Sequence, residues 1–334
     1  VNHQRDLLRL AVLFIMSTIW PGTTPPPVRA QSSDSAVNHA PDSAEGYYKR
    51  GMACADAGKY DEAVRNLRRA TAIRPGYALA HNDLGYVYYK SGLYEEAVRS
   101  YTEAIRLNSD YALAYNNLGM AHSALGQYRQ AVDALKKAVI LRDDYAAAYH
   151  NLGAVYYKMG QRENAVAALK RSVFLEDNRP EWHYDLGVAY SDSGFYERAI
   201  ESFRQALELR PELGLAYRGM GLAYHKLGRA NESIAAYERA ISLNEDDAET
   251  FNNLGVVYAS LGMHREAIVS YQRAIKLNPQ YAAAYYNLGL AYLSLNKRGE
   301  AIKQYAVLKT TDQTFARELY RLIYKDNLLV LTYR

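Results

Sequence analysis

The chain has 334 residues, 49% of them hydrophobic and 23% charged, and a formal net charge of +4, of which residues 1–30 contribute two. A body this close to neutral lacks the electrostatic footprint of a nucleic-acid binder. The single cysteine, Cys54, excludes an intrachain disulfide and a four-thiolate zinc site, and reads as a small apolar core residue.

At the N-terminus, Arg5 and Arg9 precede an apolar run from Leu10 to Trp20, and a Pro-rich polar stretch then ends in Val28-Arg29-Ala30. A positive flank, a short apolar core and small residues ahead of a polar segment form the pattern of a secretory signal peptide. Residues 1–30 are therefore expected to be a signal peptide, cleaved after Ala30, and the mature chain to lack a membrane span and work in the periplasm or outside the cell. The alternative is an uncleaved N-terminal tether. The apolar run is shorter than the roughly 20 residues that cross a bilayer. Residues 31–43 are small and polar, the composition of a flexible linker.

From residue 44 onward the sequence repeats. Gly51, Gly85, Gly119, Gly153, Gly187, Gly221, Gly255 and Gly289 stand at a constant spacing of 34 residues. A second series, Gly58, Gly92, Gly126, Gly160, Gly194, Gly228 and Gly262, follows seven residues later, with Asn296 in the eighth place. With the first glycine as position 8, eight units span 44–77, 78–111, 112–145, 146–179, 180–213, 214–247, 248–281 and 282–315. Large residues at positions 4, 7 and 11 share one helical face. Small residues at positions 20 (Ala63, Ala97, Ala131) and 27 (Ala70, Ala104, Ala138) predict a second helix approaching the position 8 glycine closely. The position 15 glycine suits the turn between the two helices. Pro75, Pro211 and Pro279 at position 32 end the second helix. Asp110, Asp144, Asn178, Glu212 and Asp246 at position 33 are expected to cap the next one. Residues 316–334 read as a C-terminal capping helix and tail, because the last apolar face of a repeat array needs covering.

Eight in-phase copies of this pattern closely resemble the tetratricopeptide repeat family. The resemblance implies an all-α fold, a right-handed superhelical solenoid of antiparallel helix pairs, whose concave face is lined by positions 2, 5, 6, 9, 12 and 13 of each first helix. On that face this sequence places Asn82, Asn116 and Asn252 at position 5, and Asn117, Asn151, Asn253 and Asn287 at position 6. Side-chain amides donate and accept at once, as the backbone of an extended peptide requires. The series is similar to the asparagine ladder in the repeat region of O-linked N-acetylglucosamine transferases. Position 9 is apolar or aromatic, Tyr86 among them, and predicts a groove that also takes hydrophobic side chains. At positions 12 and 13, Tyr89-Lys90, Tyr157-Lys158 and His225-Lys226 set a ring beside a cation.

No H-E-x-x-H, G-x-S-x-G, Walker-type or G-x-G-x-x-G pattern occurs, and the eight histidines lack ligand spacing. The sequence thus points to a non-catalytic scaffold without metal or cofactor, binding a protein or peptide partner and no nucleic acid. Two alternatives are the repeat portion or accessory subunit of a glycosyltransferase-type enzyme, and a homo-oligomer in which one copy's groove receives another's tail, Asp326 to Arg334.

Overall fold

The computed structural model describes residues 42–331 apart from residue 245, and side chains as far as Tyr324. The expected signal segment, nearly all of the linker and the side chains of the tail lie outside the described residues. Every regular element among those described is an α-helix. The first helices of the units are α1 Ala44–Asp56, α3 Ala78–Lys90, α5 Ala112–Ala124, α7 Ala146–Lys158, α9 Pro180–Asp192, α11 Gly214–Lys226, α13 Ala248–Ser260 and α15 Ala282–Ser294. The second helices are α2 Tyr60–Ile73, α4 Tyr94–Leu107, α6 Tyr128–Leu141, α8 Arg162–Leu175, α10 Tyr196–Leu209, α12 Ala230–Leu243, α14 His264–Leu277 and α16 Arg298–Thr311, followed by α17 Gln313–Leu331.

Contacts divide the chain into two compact units between Ala189 and Tyr190. In the first, each helix from α1 to α8 packs on its sequence neighbours, and consecutive first helices α1, α3, α5 and α7 also touch. In the second, α10 to α17 pack the same way, with α11, α13 and α15 in contact and α17 lying on both α15 and α16. This is the nearest-neighbour order of a helical-hairpin solenoid.

The turn within each hairpin needs a left-handed residue, and position 15 supplies it. The glycines there have φ between 71° and 81°, and Asn296, the one substitute, has φ 58°. Asparagine is among the few side chains that tolerate this region. The turn is closed by backbone bonds such as Lys59 N donating to Cys54 O at 2.8 Å, the pattern that satisfies the last carbonyls of a helix.

Position 8 glycine is required by close approach. A Cβ on Gly85 would lie 2.7 Å from the Tyr101 ring, and one on Gly255 would lie 2.6 Å from that of Tyr271. Gly51, Gly119, Gly153 and Gly221 face Leu67, Leu135, Leu169 and Tyr237 in the same manner. The partner of the glycine is therefore the large residue at position 24, while the alanines at 20 and 27 are buried on either side of it.

Two expectations are corrected here. The residue preceding each first helix is position 34, and in most units it is Tyr77, Tyr111, Tyr145, Leu213 or Tyr281, with no side-chain cap. Only Ser43, which accepts from Gly46 N, and Asp247, which accepts from Glu249 N and Thr250 N, cap in the ordinary sense. At position 34, Tyr145 is buried beneath the Arg142 guanidinium, 3.4 Å from its ring centroid, while Tyr77, Tyr111 and Tyr281 are half-buried. Cys54 is only half-buried: it packs against the core of α1 to α3 with its thiol toward Glu62.

Candidate functional site: the first-helix face and its amide spine

The seven asparagines of the expected ladder are all in the interior, none more than 3% exposed. Position 5 of one unit faces position 6 of the next, 35 residues on. Asn117 Nδ2 donates to Asn82 Oδ1 at 3.2 Å, and Asn151 Nδ2 donates to Asn116 Oδ1 at 2.8 Å. Within a unit, Asn82 Nδ2 donates to Asp83 Oδ1 and Asn116 Nδ2 to Asn117 Oδ1. The bonds join end to end into one polar spine, which Tyr48 Oη continues by donating to Asp83 Oδ2 at 2.6 Å. In the second unit the same geometry recurs: Asn252 Nδ2 donates to Asn253 Oδ1, and Asn287 Nδ2 to Asn252 Oδ1 at 2.9 Å.

These amides bind the neighbouring repeat, so Asn82, Asn116, Asn117, Asn151, Asn252, Asn253 and Asn287 do not form the open peptide-facing row expected of them. The physical reason is burial: an amide taken out of water requires partners, and at this pitch the nearest ones belong to the adjoining first helix. The spine changes chemistry where position 5 is not asparagine. His150 Nε2 meets Asp185 Oδ2 at 2.8 Å, with the ring stacked 5.0 Å from Trp182. Asn151 Oδ1 then has no donor, and neither does Asn287 Oδ1, beside Tyr286. Arg218, only 11% exposed, instead reaches Asp247 at 3.1 Å and Glu249 at 2.8 Å. Burial raises the Glu249 carboxyl above its usual range despite Arg218, with Asp247 adding to the rise. At Gly219 there is no side chain, and the Phe203 ring takes the space.

The position 9 row is likewise mostly interior. Met52, Met120, Ala154, Val188, Val256 and Leu290 are buried, leaving Tyr86 and Leu222 half-exposed. The accessible part of the first-helix face is thus its C-terminal end. Tyr89, Tyr157 and His225 are half-buried there, and Lys90, Lys158 and Lys226 are exposed. Tyr89 packs edge-on to Tyr94 at 5.2 Å, and burial followed by that neighbour raises its phenol. Burial holds the Tyr101 phenol well above its usual range, with Asp83 and then Tyr89 and Tyr86 adding to the rise. Burial and then Lys226 lower the His225 imidazole, keeping it neutral at pH 7. The Tyr157-Lys158 and His225-Lys226 pairs belong to different compact units. Among the described residues no group of three His, Cys, Asp or Glu is placed to hold a metal ion, and no helix is long and apolar enough to cross a membrane.

Repeated hairpins with glycine at positions 8 and 15 define a helical-repeat protein in which second helices pack on the next first helix and the amide spine links consecutive first helices. The TPR repeat model matches residues 51–92, 85–126, 122–160, 189–228, 221–262 and 257–296, and the tetratricopeptide repeat model matches 146–177. The chain belongs to the tetratricopeptide repeat proteins, whose repeats act as protein-interaction scaffolds. Among solved structures, it is similar to the C-terminal part of a TPR repeat-containing protein from Cytophaga hutchinsonii. The identity is 19% and the TM-score 0.60, over 72% of this chain and 99% of that one. It is also similar to pilF of Pseudomonas aeruginosa (20%, TM-score 0.55, 62% and 94%). A third is YrrB, described as a TPR protein with an unusual peptide-binding site (22%, TM-score 0.50, 55% and 95%). At these identities the likeness establishes the fold. A search of curated proteins gives no match.

Proposed function

We propose that this chain is a non-catalytic scaffold that holds an extended segment of a partner protein along the C-terminal ends of its first helices. The supporting observation is the division of labour on that face. Buried amides join successive first helices, while half-buried rings with adjacent exposed lysines line the accessible end of that face: Tyr86, Tyr89 and Lys90 in one repeat, Tyr157 and Lys158 two repeats on. A surface fixed before binding loses little entropy when it binds, so many modest contacts sum to useful affinity. The peptide-binding site named for YrrB supports the same reading. Export to the envelope or beyond is part of the proposal and rests on the pattern of residues 1–30.

The test is calorimetric titration of the protein with peptides from partners recovered by pull-down. Replacing Tyr86, Tyr89 and Tyr157 together by alanine is expected to weaken binding at least about tenfold. Unchanged affinity in a variant with an unaltered circular dichroism spectrum would reject this face as the binding surface. Fractionation of the native host tests the export component separately.

A further inference from the structure

The eighth unit departs from the others, and the departure opens a pocket. In six earlier units the position 24 side chain is buried against the position 8 glycine. In the eighth, the atoms nearest a Cβ on Gly289 all belong to Leu319 of α17, at 2.6–3.4 Å. Position 27, alanine or serine in the seven preceding units, is here Leu308, fully buried. A leucine fills the slot that lets the second helix close on the first, and α17 supplies the plug. Tyr305, at position 24, is thereby left half-exposed. Its ring lies 5.5 Å from that of Tyr320, and Tyr320 lies 4.6 Å from Tyr324.

Between α16 and α17 the Tyr305 and Tyr320 rings border an open cavity of about 540 Å³, lined also by Lys309, Gln313, Ala316, Arg317 and Arg321. The volume lies in the range of ligand-sized sites. Its charge is one-sided. Lys309 sits 5.9 Å from the Tyr305 centroid, and all three cations are exposed. Arg317 donates its Nε to the Gln313 carbonyl at 3.3 Å. Glu318 is held by Arg321 at 3.2 Å and neutralises part of one cation.

We infer that this pocket is a second docking site, separate from the first-helix face, for an acidic linear peptide of a partner protein. Carboxylates pair with Lys309 and Arg317, and an aromatic or aliphatic side chain lies against Tyr305 and Tyr320. Three cations in one compact cleft suit a short acidic segment. A nucleic acid strand would need a basic track along the surface, which a chain of net charge +4 does not provide.

The experiment is fluorescence anisotropy on the full chain with a fluorescein-labelled hexapeptide, Glu-Asp-Glu-Phe-Asp-Glu, and its Gln/Asn counterpart. The acidic probe is expected to bind and its counterpart to bind at least about tenfold more weakly. Lys309→Glu with Arg317→Glu is expected to abolish binding of the acidic probe. Both positions are exposed, so the melting temperature serves as the control for folding. Tyr320→Ala, at a ring 45% exposed, is expected to weaken it about fivefold. Three results would overturn the inference: equal binding of both probes, unchanged binding to the double charge variant, or tighter binding of a labelled oligothymidylate. Self-association that the double variant dissolves would also overturn it, since the occupant would then be a second copy.

Discussion

An asparagine in a spine of this kind has two bonds to lose. Asn116 accepts from Asn151 and donates to Asn117, and all three are buried. Asn116→Ala removes the acceptor of the buried Asn151 amide and one donor to Asn117, and a buried polar group that loses its bond costs about 1–3 kcal/mol. A loss of about 2 kcal/mol or more in urea-unfolding stability is expected. Asn66→Ala removes one exposed bond to the Glu62 carbonyl and should cost less than about 0.5 kcal/mol. The sequence carried a trace of the spine. Asparagine at position 5 is followed at the next position 6 by asparagine, as in Asn82 with Asn117, Asn116 with Asn151 and Asn252 with Asn287. Aspartate at position 6 (Asp83, Asp185) follows Tyr48 or His150. Reading positions 5 and 6 as one outward face hid this, because pairing across 35 residues depends on the pitch between units. A titration belongs at this scale too. The depressed imidazole of His225 gives stability that is present above the ordinary imidazole range and lost as pH falls through its lowered value, because the folded state resists the proton. Urea midpoints between about pH 7.5 and 5 should therefore decline in the parent and decline less in His225→Gln.

At the scale of the element, the same substitution changes sign with position. Gly255→Ala puts a methyl group 2.6 Å from the Tyr271 ring. That ring is buried and cannot retreat, so overpacking of about 1–3 kcal/mol is expected to exceed the helical gain from alanine. Gly299, in the first turn of α16, has nothing within 4 Å of its would-be Cβ. Gly299→Ala should be neutral or raise stability by up to about 1 kcal/mol through helix propensity and a less flexible unfolded chain. Thermal melts of the two variants in parallel check both signs. Helix hairpins were legible because two glycine series, the alanines at 20 and 27 and Pro75, Pro211 and Pro279 all agreed. The helix starts were misread, because capping chemistry was assigned to position 33, whereas position 34 precedes the helix and in four units is a tyrosine that makes no side-chain cap bond. The pocket beside Tyr305 was not legible at all. Leu308 breaks the small-residue series at position 27, but the consequence depends on where α17 lies.

At the scale of the whole molecule, each hairpin is stabilised by its own packing and by the interfaces with its neighbours, so a defect should spread only as far as those interfaces carry it. In the first unit the spine runs Tyr48, Asp83, Asn82, Asn117, Asn116 and Asn151 without a gap. In the second, Gly219 offers no side chain and Asn252, Asn253 and Asn287 form a separate run. Asn116→Ala removes a link in the first run. Its destabilisation is therefore expected to appear as faster amide hydrogen exchange in α3, α5 and α7 and their partner helices. Protection in α13, α14 and α15 should remain at the parent level. Exchange followed by mass spectrometry under native conditions distinguishes the two regions directly. Equal loss of protection throughout would mean that the repeats unfold as one cooperative block, and that the nearest-neighbour account of their stability does not hold.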